Sequence, residues 1–167
     1  FAQEVLDRIY DDAETLIEGA EVVPERMRMQ LLSAEDGHPG ISISADGANY
    51  VYNYDPDGDY EANNFTELQG TSMWSDTVNS DPITDVMNAQ DAVEASTGSR
   101  PTILIVSKQT MNWLKQNVKV RQYTLAQNVT ANIIMTDARV RETFSTELGI
   151  SIIVYSKQYK DENGVVK

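Results

Sequence analysis

The chain has no cysteine and one histidine in 167 residues. Without cysteine there is no disulfide framework and no thiolate metal site, a composition that fits a reducing compartment. The lone histidine, His38, sits between Gly37 and Pro39. A Ser/His/Asp triad or a histidine-rich metal site needs partners that this chain lacks nearby, so His38 reads as a surface turn residue. No apolar run approaches the roughly 18 residues that a membrane span requires. No basic, signal-type opening precedes an apolar core. No Walker-type loop and no GxGxxG occurs, so a phosphate has no glycine-lined approach to the backbone.

Positive charge is also missing where it would matter most for nucleic acid. Residues 37–98 hold eleven acids and no lysine or arginine, a net of −11. Residues 1–36 hold ten acids and three arginines, a net of −7, and residues 99–167 hold five acids and ten bases, a net of +5. The formal total is −13. Phosphates would be repelled by the first two segments, which argues against a nucleic-acid face there. Opposite signs at the two ends match the requirement for contact between neighbouring copies, although such a balance also serves plain solubility.

What is present supports a core: 41% of residues are hydrophobic, enough for one domain or two small ones. The chain is organised around Asp81–Leu114, read as helix, strand, helix. Ser80 or Asp81 caps a helix that starts at Pro82 and carries Ile83, Val86, Met87 and Val93 at helical spacing, and Gly98 stops it. Ile103-Leu104-Ile105-Val106 has no alternation and reads as a strand buried on both faces. Ser107 caps a helix with Met111, Leu114 and Val118 on one side. A short helix is expected over Arg121–Gln127, then a second buried strand at Ile133-Ile134-Met135. Thr136 or Asp137 caps a helix with Val140, Phe144 and Leu148, ended by Gly149, and Ile150–Tyr155 is a third strand. Asp161-Glu162-Asn163-Gly164 reads as a turn into Val165-Val166. Alternating strands and helices imply a partly parallel sheet.

Upstream lies different material. Residues 2–20 carry an apolar stripe of Val5, Leu6, Ile9, Ala13, Leu16, Ile17 and Ala20, with acids opposite. Pro24 kinks this helix or starts a second over Glu25–Leu32, and together the two would span about 45–50 Å at ~1.5 Å per residue. A stripe this long needs a partner surface. Ile41–Tyr54 reads as a hairpin around Asp46-Gly47, with Tyr50, Tyr52 and Tyr54 on one face as a contact surface. Residues 55–80 show no periodicity and mark a boundary, with Trp74, Phe65, Leu68 and Met73 tying the stretch to the body. The chain begins at Phe1 and ends at Lys167 as a strand begins, as expected for a segment of a longer protein.

Candidate chemistry is sparse. Asp55-Pro56-Asp57-Gly58-Asp59 has the alternating acids of a calcium loop. However, an EF-hand starting there would need glycine at Tyr60 and glutamate at Thr66, so it reads as an acidic turn. Ser107-Lys108-Gln109-Thr110 opens a helix after a strand, but capping accounts for it. Lys115, Lys119 and Arg121, and Arg139 with Arg141, read as solvated helix faces. No carboxylate pair stands out as catalytic, and no cofactor, metal or catalytic residue is assigned.

An ordered set of motifs does stand out. It comprises Val22-Val23-Pro24-Glu25-Arg26-Met27-Arg28-Met29-Gln30-Leu31-Leu32, the Ile41–Tyr54 hairpin, Trp74-Ser75-Asp76 and Pro82-Ile83-Thr84-Asp85. Thr97-Gly98, Pro101-Thr102, and Met111-Asn112-Trp113-Leu114 with Asn117 complete it. In order and spacing, from about residue 1 to 160, the set resembles tailed-phage major capsid proteins of the lambda capsid protein E type. The resemblance implies an α+β fold of the Hong Kong 97-like capsid kind. Residues 1–56 would be part of a peripheral domain, with spine helix 2–32 and hairpin 41–54. Residues 57–80 would be a linking loop, and 81–167 an axial α/β domain incomplete at its C-terminus. It also implies a non-enzymatic shell subunit of a phage or prophage virion, assembled in the bacterial host cytoplasm. Its partners would be copies of itself in capsomer hexamers and pentamers, with packaged double-stranded DNA only indirectly and no membrane. The family's N-terminal arm, extended loop and C-terminal return strand have no counterpart here, and no cross-linking residue is carried over. The competing class is a small-molecule-binding or catalytic α/β domain, whose ligand would sit at strand C-terminal ends.

Overall fold

A computed structural model describes residues 19–32, 37–45, 48–125 and 134–157. It divides into two compact units, Phe1–Thr66 and Glu67–Lys167. The stretch read as a linking loop is shared between them, 57–66 in the first and 67–80 in the second.

In the first unit residues 19–32 form helix α1, continuous through Pro24. The apolar stripe before residue 19, apart from Ala20, lies outside the described residues. Strands β1 (Gly40–Ala45) and β2 (Ala48–Asn53) form an antiparallel hairpin in which Ile41 faces Tyr52 and Ile43 faces Tyr50. Ala45 faces Ala48, which leaves a two-residue connection; the Asp46-Gly47 pair itself lies outside the described residues. Asp59–Asn64 then forms a short helix, α2, and Gly70–Ser72 a single 3-10 turn in the second unit. Residues 55–80 are therefore not wholly irregular. With no buried residue, α2 has no apolar period to detect, and its start depends on a side-chain cap from outside the helix.

The second unit contains α3 (Pro82–Thr97), β3 (Ile103–Ser107), α4 (Lys108–Gln116), α5 (Val118–Leu125), α6 (Asp137–Leu148) and β4 (Ser151–Tyr155). Local signals set most of these ends. Asp81 accepts from the Thr84 N–H at the start of α3, Ser107 from the Thr110 N–H at α4, and Thr136 from the Arg139 N–H at α6. Gly98 and Gly149 close α3 and α6 in the left-handed region. The β3 and β4 strands pair in parallel, with Leu104 opposite Ile152 and Val106 opposite Val154. These four side chains lie in or against the core with Ile83, Met111, Leu114, Val120, Val140 and Phe144.

Three expectations need correction here. First, β3 is buried on one face only. Ile103 and Ile105 are 57% and 47% exposed, while Val106 is 6% exposed. An apolar run without alternation fits either case, because only packing reveals that this sheet's second face is bare. Second, Ile134 and Met135 belong to no strand; Met135 is buried and Ile134 is exposed, while Ile133 lies outside the described residues. Third, the helix expected at Arg121 begins at Val118, and Val118 does not continue the Met111–Leu114 helix. Asn117 separates the two helices with extended backbone, and its Oδ1 accepts from the Val120 N–H, so it caps α5 as well. Overall the protein mixes helix with two separate two-stranded sheets among the described residues, an α+β arrangement.

Candidate assembly surfaces

The hairpin presents an exposed strand. Every residue of β2 is exposed, with Tyr50, Tyr52 and Val51 at 52%, 54% and 67%. Tyr54, just beyond the strand, is exposed as well. This is the tyrosine row that the two-residue period placed on one face. The opposite edge of the hairpin differs. Gln30 on α1 donates from Nε2 to the Ser42 carbonyl at 3.3 Å and accepts from the Ser42 N–H at 3.2 Å. Its side-chain amide thus imitates a neighbouring strand at that edge.

The Asp55 turn serves the fold. Asp55 is buried, and its Oδ1 and Oδ2 accept from the Tyr60 and Glu61 N–H groups, both at 2.9 Å. It caps α2 from outside the helix, the role that an acidic side chain fills at a helix N-terminus. The Tyr60 N–H, aided by the Glu61 N–H and His38, holds the Asp55 carboxyl below the usual aspartate value against the opposing effect of desolvation. His38 lies between two acids, with Nδ1 3.5 Å from Asp55 and Nε2 3.1 Å from Glu61. It is therefore more engaged than a surface turn residue. Among the described residues no group of three or more side chains is arranged to hold a metal ion.

In the second unit the scattered motif residues converge. Trp74 packs against the core, and its Nε1–H donates to Asp85 at 2.9 Å. Asp76 accepts from Val78, Asn79 and the Asn79 side chain, a pattern that keeps its carboxyl below the usual value, chiefly through Asn79. The Asp76 carbonyl accepts from Ser80 Oγ at 2.6 Å, and buried Asn117 donates to Ser80 Oγ at 2.9 Å. The Val118 N–H donates to the Thr77 carbonyl at 2.9 Å. The segment before α3 is thereby fixed to the α4–α5 junction. Gln90, which the apolar reading of α3 passed over, is buried and donates to the Pro101 and Leu148 carbonyls at 2.7 and 3.2 Å. Its position seven residues after Ile83 was the available signal.

The basic residues divide by role. Lys115 pairs with Asp137 at 2.8 Å and lowers the carboxyl's affinity for protons. Arg141 donates to the Ile152 carbonyl on β4. Arg100 bridges Asp91 and Glu94, both at 2.6 Å. Lys119, Arg121 and Arg139 lie on α5 and α6. Ser107 Oγ, at the C-terminal end of β3 where a ligand of an α/β domain would sit, is engaged with the Thr110 N–H at 3.0 Å. By unit, the charge is lopsided. Residues 1–66 hold fifteen acids and three arginines, a net of −12, and residues 67–167 hold eleven acids and ten bases, a net of −1.

A family model for phage major capsid protein E matches residues 2–167. The chain belongs to the phage major capsid protein E family. Trp74, Asp76, Ser80, Asp85 and Asn117 lie within the matched residues and do structural work in this fold. A solved structure of a phage-related protein from Bordetella bronchiseptica RB50 is similar at 20% identity, with a TM-score of 0.45. The similarity covers 60% of this chain and 29% of that one, so the match spans under a third of that protein's length. Among curated proteins, none matches. No described helix is long and apolar enough to cross a membrane.

Proposed function

We propose that the chain is a structural subunit of an icosahedral phage or prophage capsid shell. Copies of it assemble around double-stranded DNA through capsomer hexamers and pentamers, and it catalyses no reaction. The family match over residues 2–167 carries this reading. The fold would be Hong Kong 97-like, with residues 1–56 in the peripheral domain, 57–80 linking, and 81–167 in the axial domain. The shell would be built in the bacterial host cytoplasm and end in the virion. DNA would be enclosed rather than gripped, in keeping with the −12 charge of residues 1–66. The bare face of the β3–β4 sheet and the exposed tyrosine row suit a protein whose neighbours complete its surface. The capsid family does not favour a ligand-binding α/β domain.

Electron microscopy of the chain at high concentration tests the proposal, with closed shells or capsomer rings expected. A clear rise in thermal midpoint with any nucleotide, and no assembly, would replace it with the ligand-binding class.

A further inference from the structure

The two units carry unspent charge of opposite sign. In the first, Tyr50 and Tyr52 of β2 and Tyr54 beyond it make up the exposed row, and Tyr60 on α2 is exposed as well. The turn from Tyr54 to Tyr60 is held from within. The Gly58 N–H donates to the Asp55 carbonyl at 3.3 Å, and the Asp55 carboxylate takes the Tyr60 and Glu61 N–H groups. Asp55 is thus committed to the fold. Asp57 and Asp59 are exposed, and their carboxylates meet no cation or donor among the described residues. No lysine or arginine occurs from residue 37 to residue 98.

In the second unit, Lys115 in the last turn of α4 reaches Asp137 at the start of α6, and α5 begins just past Asn117. The first turns of α5 and α6 therefore lie at one end of the unit. Thr124 and Thr143, bonded at 2.7 Å, hold the two helices together. Those first turns carry Lys119, Arg121 and Arg139, none of which has an ion pair with a described residue. Their own helices do not account for them, since a cation in a first turn opposes the helix dipole.

We propose that the tyrosine row and its flanking acids on one copy seat against this basic end of the next copy. The inference rests on the shell reading, since the partner is a second copy of the chain. A tyrosine ring takes a guanidinium or ammonium group on its face, and a neighbouring carboxylate adds an ion pair. Tyrosine and arginine are also the residues enriched where interfaces bind most tightly. Charge selects the pairing of unlike units. Two first units would bring together nets of −12 each, whereas the second unit holds ten of the thirteen bases. A contact of one surface with a different one repeats from copy to copy and closes into rings when the rotation allows.

The test reverses the charge on each side. One variant carries Asp57→Lys with Asp59→Lys, the other Arg121→Glu with Arg139→Glu. All four side chains are exposed and have no ion pair with a described residue, so the fold should survive. By sedimentation velocity, each variant alone should associate roughly tenfold more weakly than the parent, and an equal mixture of the two should recover, because unlike charges then meet at every contact. Tyr54→Ala should weaken self-association roughly two- to fivefold. A mixture no stronger than either variant, or Tyr54→Ala unchanged, overturns the proposal. So does binding of a short duplex DNA by the parent that the Arg121→Glu, Arg139→Glu variant loses while its self-association holds; the basic end would then belong to nucleic acid. A parent that associates whatever these charges are rejects the contact and leaves the shell reading standing. A parent that stays monomeric removes both.

Discussion

Replacing Asn117 with alanine should cost the second unit about 3–4 kcal/mol. Asn117 is fully buried, and its side chain makes three hydrogen bonds: to Ser80 Oγ at 2.9 Å, to the Ser80 carbonyl at 3.3 Å, and from the Val120 N–H at 3.0 Å. Each contributes roughly 0.5–1.5 kcal/mol net, and leaving the buried Val120 N–H without an acceptor adds about 1–3 kcal/mol. The long bond to the carbonyl belongs at the low end. With a denaturant slope of ~1–2 kcal/mol per molar urea, the midpoint should fall by roughly 2 M. Both tryptophans, Trp74 and Trp113, lie in Glu67–Lys167, so tryptophan fluorescence follows this unit alone. Ser80→Ala removes only the hydroxyl bonds and should cost about 1–2 kcal/mol. Because the two residues touch, the double variant should fall short of the sum by about 1 kcal/mol. A loss under about 1 kcal/mol for Asn117→Ala would refute the role given to this junction.

Phe144→Ala, at a fully buried site, should cost about 3–5 kcal/mol in the same assay, with binding of a small apolar probe in the cavity as a second readout. Gly37 has φ +80°, and a Cβ there would meet Phe65 Cγ at 2.6 Å, so Gly37→Ala carries ~1–2 kcal/mol of backbone strain. Overpacking adds ~1–3 kcal/mol, and the loss should appear as faster amide hydrogen exchange across residues 37–66. Asp55 has a folded pKa below its unfolded one, so its contribution is present above the unfolded value and disappears as pH falls through the folded value. Asp55→Asn should therefore lower the first unit's thermal midpoint at pH 7, and the gap from the parent should narrow below about pH 4.

Much of the second unit was legible because its signals are local. A capping side chain, an apolar period and a terminal glycine each act within a few residues: α3, α4 and α6 begin where Asp81, Ser107 and Thr136 cap them, and α3 and α6 end at Gly98 and Gly149. The failures are of another kind. Asp55 starts α2 from outside the helix, and Asn117 ends one helix while capping the next, a dual role that a search for one continuous stripe passes over. Whether Ile103 and Ile105 are covered depends on where the helices pack, and both rows of an all-apolar strand look alike beforehand. Gln30 and Arg141 read as ordinary polar helix residues until the fold brings them to Ser42 and Ile152. The capsid family was legible from the order of many modest motifs, not from any catalytic constellation.

The central claim is that copies of this chain associate with one another as shell subunits. Sedimentation velocity of the full chain, from micromolar to near-millimolar concentration, tests it most directly. Growth into rings or larger closed particles is the predicted result. A single monomer boundary over the whole range would contradict it.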